Sequence, residues 1–109
     1  MKIQFLESAN PGIRWMRRYF REQPQLDQKT ATENYKNTRK LLKQEPYIGH
    51  TFDEIEGVFE RSISKTHFSI LYAVKDETIF IIDIRDQRGF RSSNALRQYS
   101  QLLKEKYDL

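Results

Sequence analysis

The chain has 109 residues, 38% of them hydrophobic and 31% charged, with a net charge of +4. That length suits one domain with one core, spanning residues 1–109, and the balance is that of a folded chain rather than a long disordered one. Cysteine is absent, which excludes disulfides, thiolate catalysis and cysteine-based metal sites.

No run of about 18 apolar residues is present, so no membrane-spanning helix is expected. The start, Met1 to Glu7, lacks the apolar core of a signal peptide, and the expected location is cytoplasmic. Charge is unevenly spread. Residues 1–49 carry +5, residues 50–77 carry −3 and residues 78–109 carry +2. The two basic blocks can meet an anion, nucleic acid or an acidic protein segment; solvation of helix faces explains them equally well.

In chain order, Ile3–Leu6 reads as a first short strand. Asn10 is placed to cap a helix and Pro11 to open it. From Pro11 to Gln23 the pattern is helical: Ile13, Trp15, Met16, Tyr19 and Phe20 share one half of the wheel, and Arg14, Arg17, Arg18 and Arg21 fall on the other. Pro24 ends this helix. A second begins after Asp27, its N-cap, and stops at Pro46. Leu26 is placed to staple onto Ala31. Ala31, Tyr35, Thr38, Leu41 and Leu42 form its apolar face, with Lys29, Lys36, Arg39, Lys40 and Lys43 opposite. So short a connection predicts an antiparallel helical hairpin.

Residues 50–57 read as a loop, hinged at Gly57 into a strand over Val58–Ile63. Two strongly β-type runs follow, Phe68–Val74 and Thr78–Ile84, joined by the polar turn Lys75-Asp76-Glu77. Gly89 breaks the chain. Ser92 or Ser93 can cap a last helix from about Asn94 to Lys106, within a C-terminal helical extension over residues 91–109. The order β-α-α-β-β-β-α predicts an α+β fold: an antiparallel meander with the helical hairpin on one face.

The arginine stripe at 14, 17, 18 and 21 makes a continuous cationic ridge, suited to phosphates or carboxylates and equally to solvent. Arg61 and Arg85 lie on the first and last strands of the meander, where they can approach one another on one face or pair with Glu60, Asp83 or Asp86. His67 is a candidate base or a plain loop histidine. His50 and His67 make a poor metal signature; the cluster Asp53, Glu54 and Glu56 can bind a cation or supply a base, or is a plain exposed loop; and no cofactor fingerprint is present. No cofactor and no metal are expected.

The order of four segments carries a likeness. Pro46-Tyr47-Ile48-Gly49 is followed by acidic residues and by Gly57-Val58-Phe59-Glu60-Arg61. Next come Thr66-His67-Phe68-Ser69-Ile70-Leu71-Tyr72-Ala73-Val74, a hairpin, and Ile82-Asp83-Ile84-Arg85. Over roughly residues 1–88 this resembles the RelE/ParE family of toxins from bacterial toxin–antitoxin pairs. The resemblance implies a toxin neutralised by a cognate antitoxin, with operator DNA reached only through that antitoxin.

One branch of that family cuts mRNA on the ribosome, and the resemblance would make Arg61, Arg85 and His67 its site residues. The other branch poisons DNA gyrase. The nuclease branch usually places a Tyr or His just after the last strand, whereas Asp86-Gln87-Arg88-Gly89-Phe90-Arg91 holds neither. The resemblance therefore leans to the gyrase branch, with Arg14, Arg17, Arg18, Arg21, Arg85, Arg88 and Arg91 as target-binding residues. A third alternative is a non-toxic member that binds its antitoxin and helps repress the operon.

Overall fold

The computed structural model describes residues 1–23, 25–52, 56–89 and 105. Pro24, Asp53, Glu54, Arg91 and the expected last helix lie outside them. Within the described residues the chain is α+β, with five strands and two α-helices. Strand β1 (Lys2–Phe5) leads through a 3-10 turn (Glu7–Ala9) into α1 (Asn10–Arg21) and then α2 (Gln28–Gln44). Strands β2 (His50–Thr51), β3 (Phe59–Ser62), β4 (Phe68–Lys75) and β5 (Thr78–Asp86) follow.

The sheet order is β1-β5-β4-β3-β2. β3, β4 and β5 form the antiparallel meander that three consecutive strands predict. β1 lies parallel to β5, with Lys2 opposite Thr78 and Phe5 opposite Ile81, so the sheet is mixed. The intervening helices supply the crossover that a parallel neighbour needs. Residues 50 and 51, expected in a loop, instead pair with Glu60 and Phe59 as an edge strand.

Both helix starts follow from local chemistry, one differently from expectation. Asp27 caps α2, accepting from the Thr30 backbone N–H at 3.0 Å. Asn10 does not cap α1. The 3-10 turn feeds directly into the helix, Ala9 takes the cap position without a side-chain bond, and Asn10 is the first helical residue. α1 also ends at Arg21 rather than Gln23.

The sheet is apolar on both sides. On the helical side Met16 and Leu42 pack with Phe68, Ile70, Tyr72, Ile79, Ile81 and Ile84. On the other, Leu6, Phe52 and Val58 cover Leu71, Ala73 and Ile82. That double burial explains why the two central strands read as near-continuous apolar runs. A β-bulge interrupts the pairing of β4 with β5: Leu71 faces Asp83, while Tyr72 faces Ile81. The buried Asp83 carboxylate accepts from the Ile84 backbone N–H at 2.8 Å beside this irregularity.

Two backbone positions make demands on their residues. A Cβ on Gly49 would lie 2.6 Å from the Tyr72 hydroxyl and 2.8 Å from the Glu60 carbonyl oxygen. The β4–β5 turn holds Asp76 and Glu77 at φ of 50° and 59°, the signature of a type I′ hairpin. Gly49→Ala is expected to cost about 1–3 kcal/mol in urea unfolding, since backbone as well as side chain must move. Glu77→Gly should raise stability by about 0.5–1 kcal/mol, because glycine takes the left-handed conformation without a Cβ penalty.

Candidate functional site

Two charged clusters occupy opposite faces of the sheet. On the helical face, Asp86 ends β5 opposite Phe68 and is buried. Trp15 of α1 donates its indole N–H to Asp86 Oδ2 at 2.9 Å. Arg88 folds back past the strand end. Its backbone N–H and Nε donate to Oδ1 at 3.0 and 3.1 Å, and its Nη2 donates to Oδ2 at 3.0 Å. The guanidinium also lies over the Tyr19 ring, 4.6 Å from its centroid. Burial pushes the Asp86 carboxyl up, but hydrogen bonds from Arg88 and Trp15 outweigh it and hold the pKa at about 2.

His67, in the bend between β3 and β4, packs against this cluster with its side chain 23% exposed. Its ring meets Tyr19 edge-on at 4.5 Å and lies 4.2 Å from Phe68. Nε2 sits 3.8 Å from Asp86 Oδ1, too far for a hydrogen bond, and has no such partner among the described residues. Burial, with the nearby Arg88 charge, lowers its pKa against a smaller opposing effect of Asp86, so the imidazole is neutral at pH 7. That position makes His67 a wall of the cluster.

The second cluster lies on the face away from the helices. Glu60 of β3 is buried and receives three groups. Ser69 of β4 donates its hydroxyl to Oε2, Arg85 of β5 donates Nη1 to Oε2 at 2.8 Å, and His50 Nε2 of β2 lies 3.2 Å from Oε1. Burial raises the Glu60 pKa, and the bonds from Ser69, Arg85 and His50 reverse this to leave it lowered. His50 remains open to solvent, its side chain 67% exposed, while Arg85 is 34% exposed with its guanidinium 5.5 Å from the Phe52 ring centroid.

The register separates the two arginines that chain order pairs. Arg61 is opposite Ile70, which is opposite Ile84; Ser69 is opposite Arg85. Because side chains alternate along a strand, Arg61 projects on the helical face and Arg85 on the other. They do not meet. Arg85 takes the Glu60 pairing open to it in the sequence, and Arg88 pairs with Asp86.

The arginine stripe is as expected. Arg14, Arg17, Arg18 and Arg21 are exposed, and among the described residues only Arg18 forms an ion pair, with Glu22 at 3.0 Å. Arg39 departs from its expected solvent face. It is half-buried, with its guanidinium 4.9 Å from the Phe5 centroid and 5.5 Å from that of Tyr35. No group of three His, Asp or Glu side chains suited to a metal occurs among the described residues. Nor is any helix there long and apolar enough to cross a membrane.

Sequence reasoning reaches Glu60 and Asp86 as partners for arginines but misses Trp15, Ser69 and His50 as members of the clusters. One signal was present: an indole on an apolar helix face needs a buried acceptor, and a carboxylate ending an apolar strand is a suitable one. No protein-family model and no curated protein sequence matches the chain.

Asp86 gives the fold a pH dependence. Its folded pKa of about 2 lies below the ordinary 3.8, so its contribution is fully present above the unfolded value and is lost as pH falls through the folded one. Asp86→Asn should cost roughly 2 kcal/mol at neutral pH. Urea titrations at decreasing pH should show the gap between wild type and variant closing from about pH 4 to about pH 2.

Proposed function

We propose that this chain is the toxin of a type II toxin–antitoxin pair, of RelE/ParE type, acting by binding DNA gyrase and neutralised by a cognate antitoxin. The observation that carries the choice of binding over cleavage is the internal use of Arg85 and Arg88. Arg85 is tied to Glu60 and Arg88 to Asp86, while Arg14, Arg17 and Arg21 stand exposed on one ridge of α1. Such a ridge suits an acidic protein surface or DNA held by an enzyme. The ordered segments that resemble the family support the wider assignment: Gly49 is required by its contact with Tyr72, and β3 to β5 form a meander.

A second reading, mRNA cleavage on the ribosome, is favoured by one arrangement. An exposed imidazole, His50, is held by the buried Glu60 carboxylate beside the Arg85 guanidinium. A histidine so placed can move a proton, and the arginine can stabilise growing phosphate charge.

Expression of the chain alone is expected to block replication and give filamentous cells, reversed by co-expressing the product of a neighbouring short reading frame. Purified protein should inhibit gyrase supercoiling. Reversing Arg14, Arg17 and Arg21 to Glu should raise the concentration for half-inhibition about tenfold or more, without loss of folding. Cuts in ribosome-bound mRNA that vanish in His50→Gln, with gyrase unaffected, would move the assignment to the second reading. No growth defect at all would leave only an antitoxin-binding co-regulator.

A further inference from the structure

A cavity of about 490 Å³ lies between the end of α1, the first turns of α2 and the bend that joins β3 to β4. That volume is in the range of small-molecule sites. Tyr19, Phe20 and Ala31 give it an apolar wall, with the Tyr19 ring edge-on to Phe20 at 5.2 Å and to His67 at 4.5 Å. Two polar members of the lining keep an acceptor unmatched. His67 turns Nε2 towards the Asp86 carboxylate, 3.8 Å away, which favours the proton on that nitrogen. Nδ1 of the neutral ring, on the far side from Asp86, is then an acceptor, and it takes no hydrogen bond among the described residues. Asn34 donates its amide N–H to the Ser64 carbonyl at 3.0 Å, which leaves its Oδ1 as a second acceptor. The rim carries one exposed acid, Asp27, and one exposed base, Lys65, so its charges balance. Lys65 holds a φ of 61°, a conformation costly for a residue with a Cβ, and such strain collects at binding sites.

We infer that this cavity is a binding site for a planar nitrogen heteroaromatic small molecule, neutral or zwitterionic, whose ring packs on Tyr19 and Phe20 and whose ring N–H donates to His67 Nδ1. The lining selects this class on three counts. Aromatic walls favour a flat ring. Acceptors left without donors favour a molecule that donates, as a ring N–H does and a hydrocarbon does not. Balanced charge at the rim gives no net attraction to a strongly anionic or cationic ligand, which sets the cavity apart from the arginine ridge of α1 and from any nucleic-acid backbone. The site stands whether or not the chain acts as a toxin, since none of the ridge arginines lines it.

The chain has 2 histidines, and His50 lies on the opposite face of the sheet from the cavity. Their imidazole C–H signals therefore report both binding and its location in one NMR spectrum of the full chain. Indole is the probe, and 1-methylindole is the same ring without its N–H. Indole should shift the His67 signal saturably and leave that of His50 in place. 1-Methylindole should bind about tenfold more weakly. His67→Phe keeps an aromatic ring without the acceptor, and should bind the two probes alike when read from the ligand signals by saturation transfer. Ala31→Leu, which fills the cavity from α2, should abolish the His67 shift while His50 keeps its folded position. Equal affinity of the unaltered chain for the two probes, shifts of both histidines alike, or an unchanged His67 shift in Ala31→Leu would overturn the proposal. A tryptophan-bearing peptide that shifts the His67 signal where indole does not would overturn it in favour of a protein segment. None of these readouts involves growth or gyrase, so they succeed or fail independently of the toxin reading.

Discussion

The carboxylate of Asp86 is the point through which the helical layer is held to the sheet. It is buried at the end of β5, and it is charged only because the indole of Trp15 and the backbone and guanidinium of Arg88 converge on it. Burying a carboxylate without such partners is far costlier than any single apolar contact. The bond to Trp15 therefore does more than add one hydrogen bond. It fixes the rotation of α1 about its own axis, since only one orientation brings the indole to the strand end. That rotation sets the rest of the helix: Met16 is turned to the core, and Arg14, Arg17 and Arg21 are turned outward. The cationic ridge is thus a consequence of a polar contact at the far edge of the apolar one.

The other cluster imposes a similar constraint on the sheet. Glu60, Ser69 and Arg85 come from three adjacent strands, and His50 adds a fourth. Their bonds run across the sheet rather than along it, so a one-residue slip of β3 would take Glu60 away from all three donors. The cluster therefore specifies register as well as charge. Its neighbour, the bulge at Ile82 and Asp83, relies on the same economy, with a buried carboxylate accepting from a nearby backbone N–H.

Much of this was legible in the sequence, and the misses share a cause. Periodicity located both helices, the β4–β5 hairpin and the exposed ridge, because each depends on local repeats of 3.6 or 2 residues. Asp27 was legible as a cap for the same reason. Asn10 was not, since the 3-10 turn before it takes over the role of a cap without any side-chain signature. The parallel pairing of β1 with β5 joins residues more than 70 positions apart, which no local pattern encodes. Arg39 sits on the polar side of the wheel by spacing alone, yet the rings of Phe5 and Tyr35 draw its guanidinium inward. Arg61 and Arg85 looked like partners because both occur on sheet strands. Which face each projects from depends on the registers of two separate strand pairs.

The division of charge between layers follows from these contacts. Of the buried carboxylates on the sheet, Glu60 is matched by Arg85 and Asp86 by Arg88, while Asp83 accepts from the Ile84 backbone N–H. Residues 1–49, which contain both helices, carry +5, and residues 50–77 carry −3. An approaching anionic partner is therefore drawn towards the helical hairpin, where cations are exposed or rest on ring faces and acids are few. Two consequences for recognition differ in kind. The outer ridge of α1 offers charge alone, and binding there weakens steeply with salt. The groove between the helices, lined by Met16, Phe20 and Tyr35 with Arg17, Lys36 and Arg39, pairs charge with apolar surface, which salt screens less. One helical layer thus presents two surfaces with different salt sensitivities.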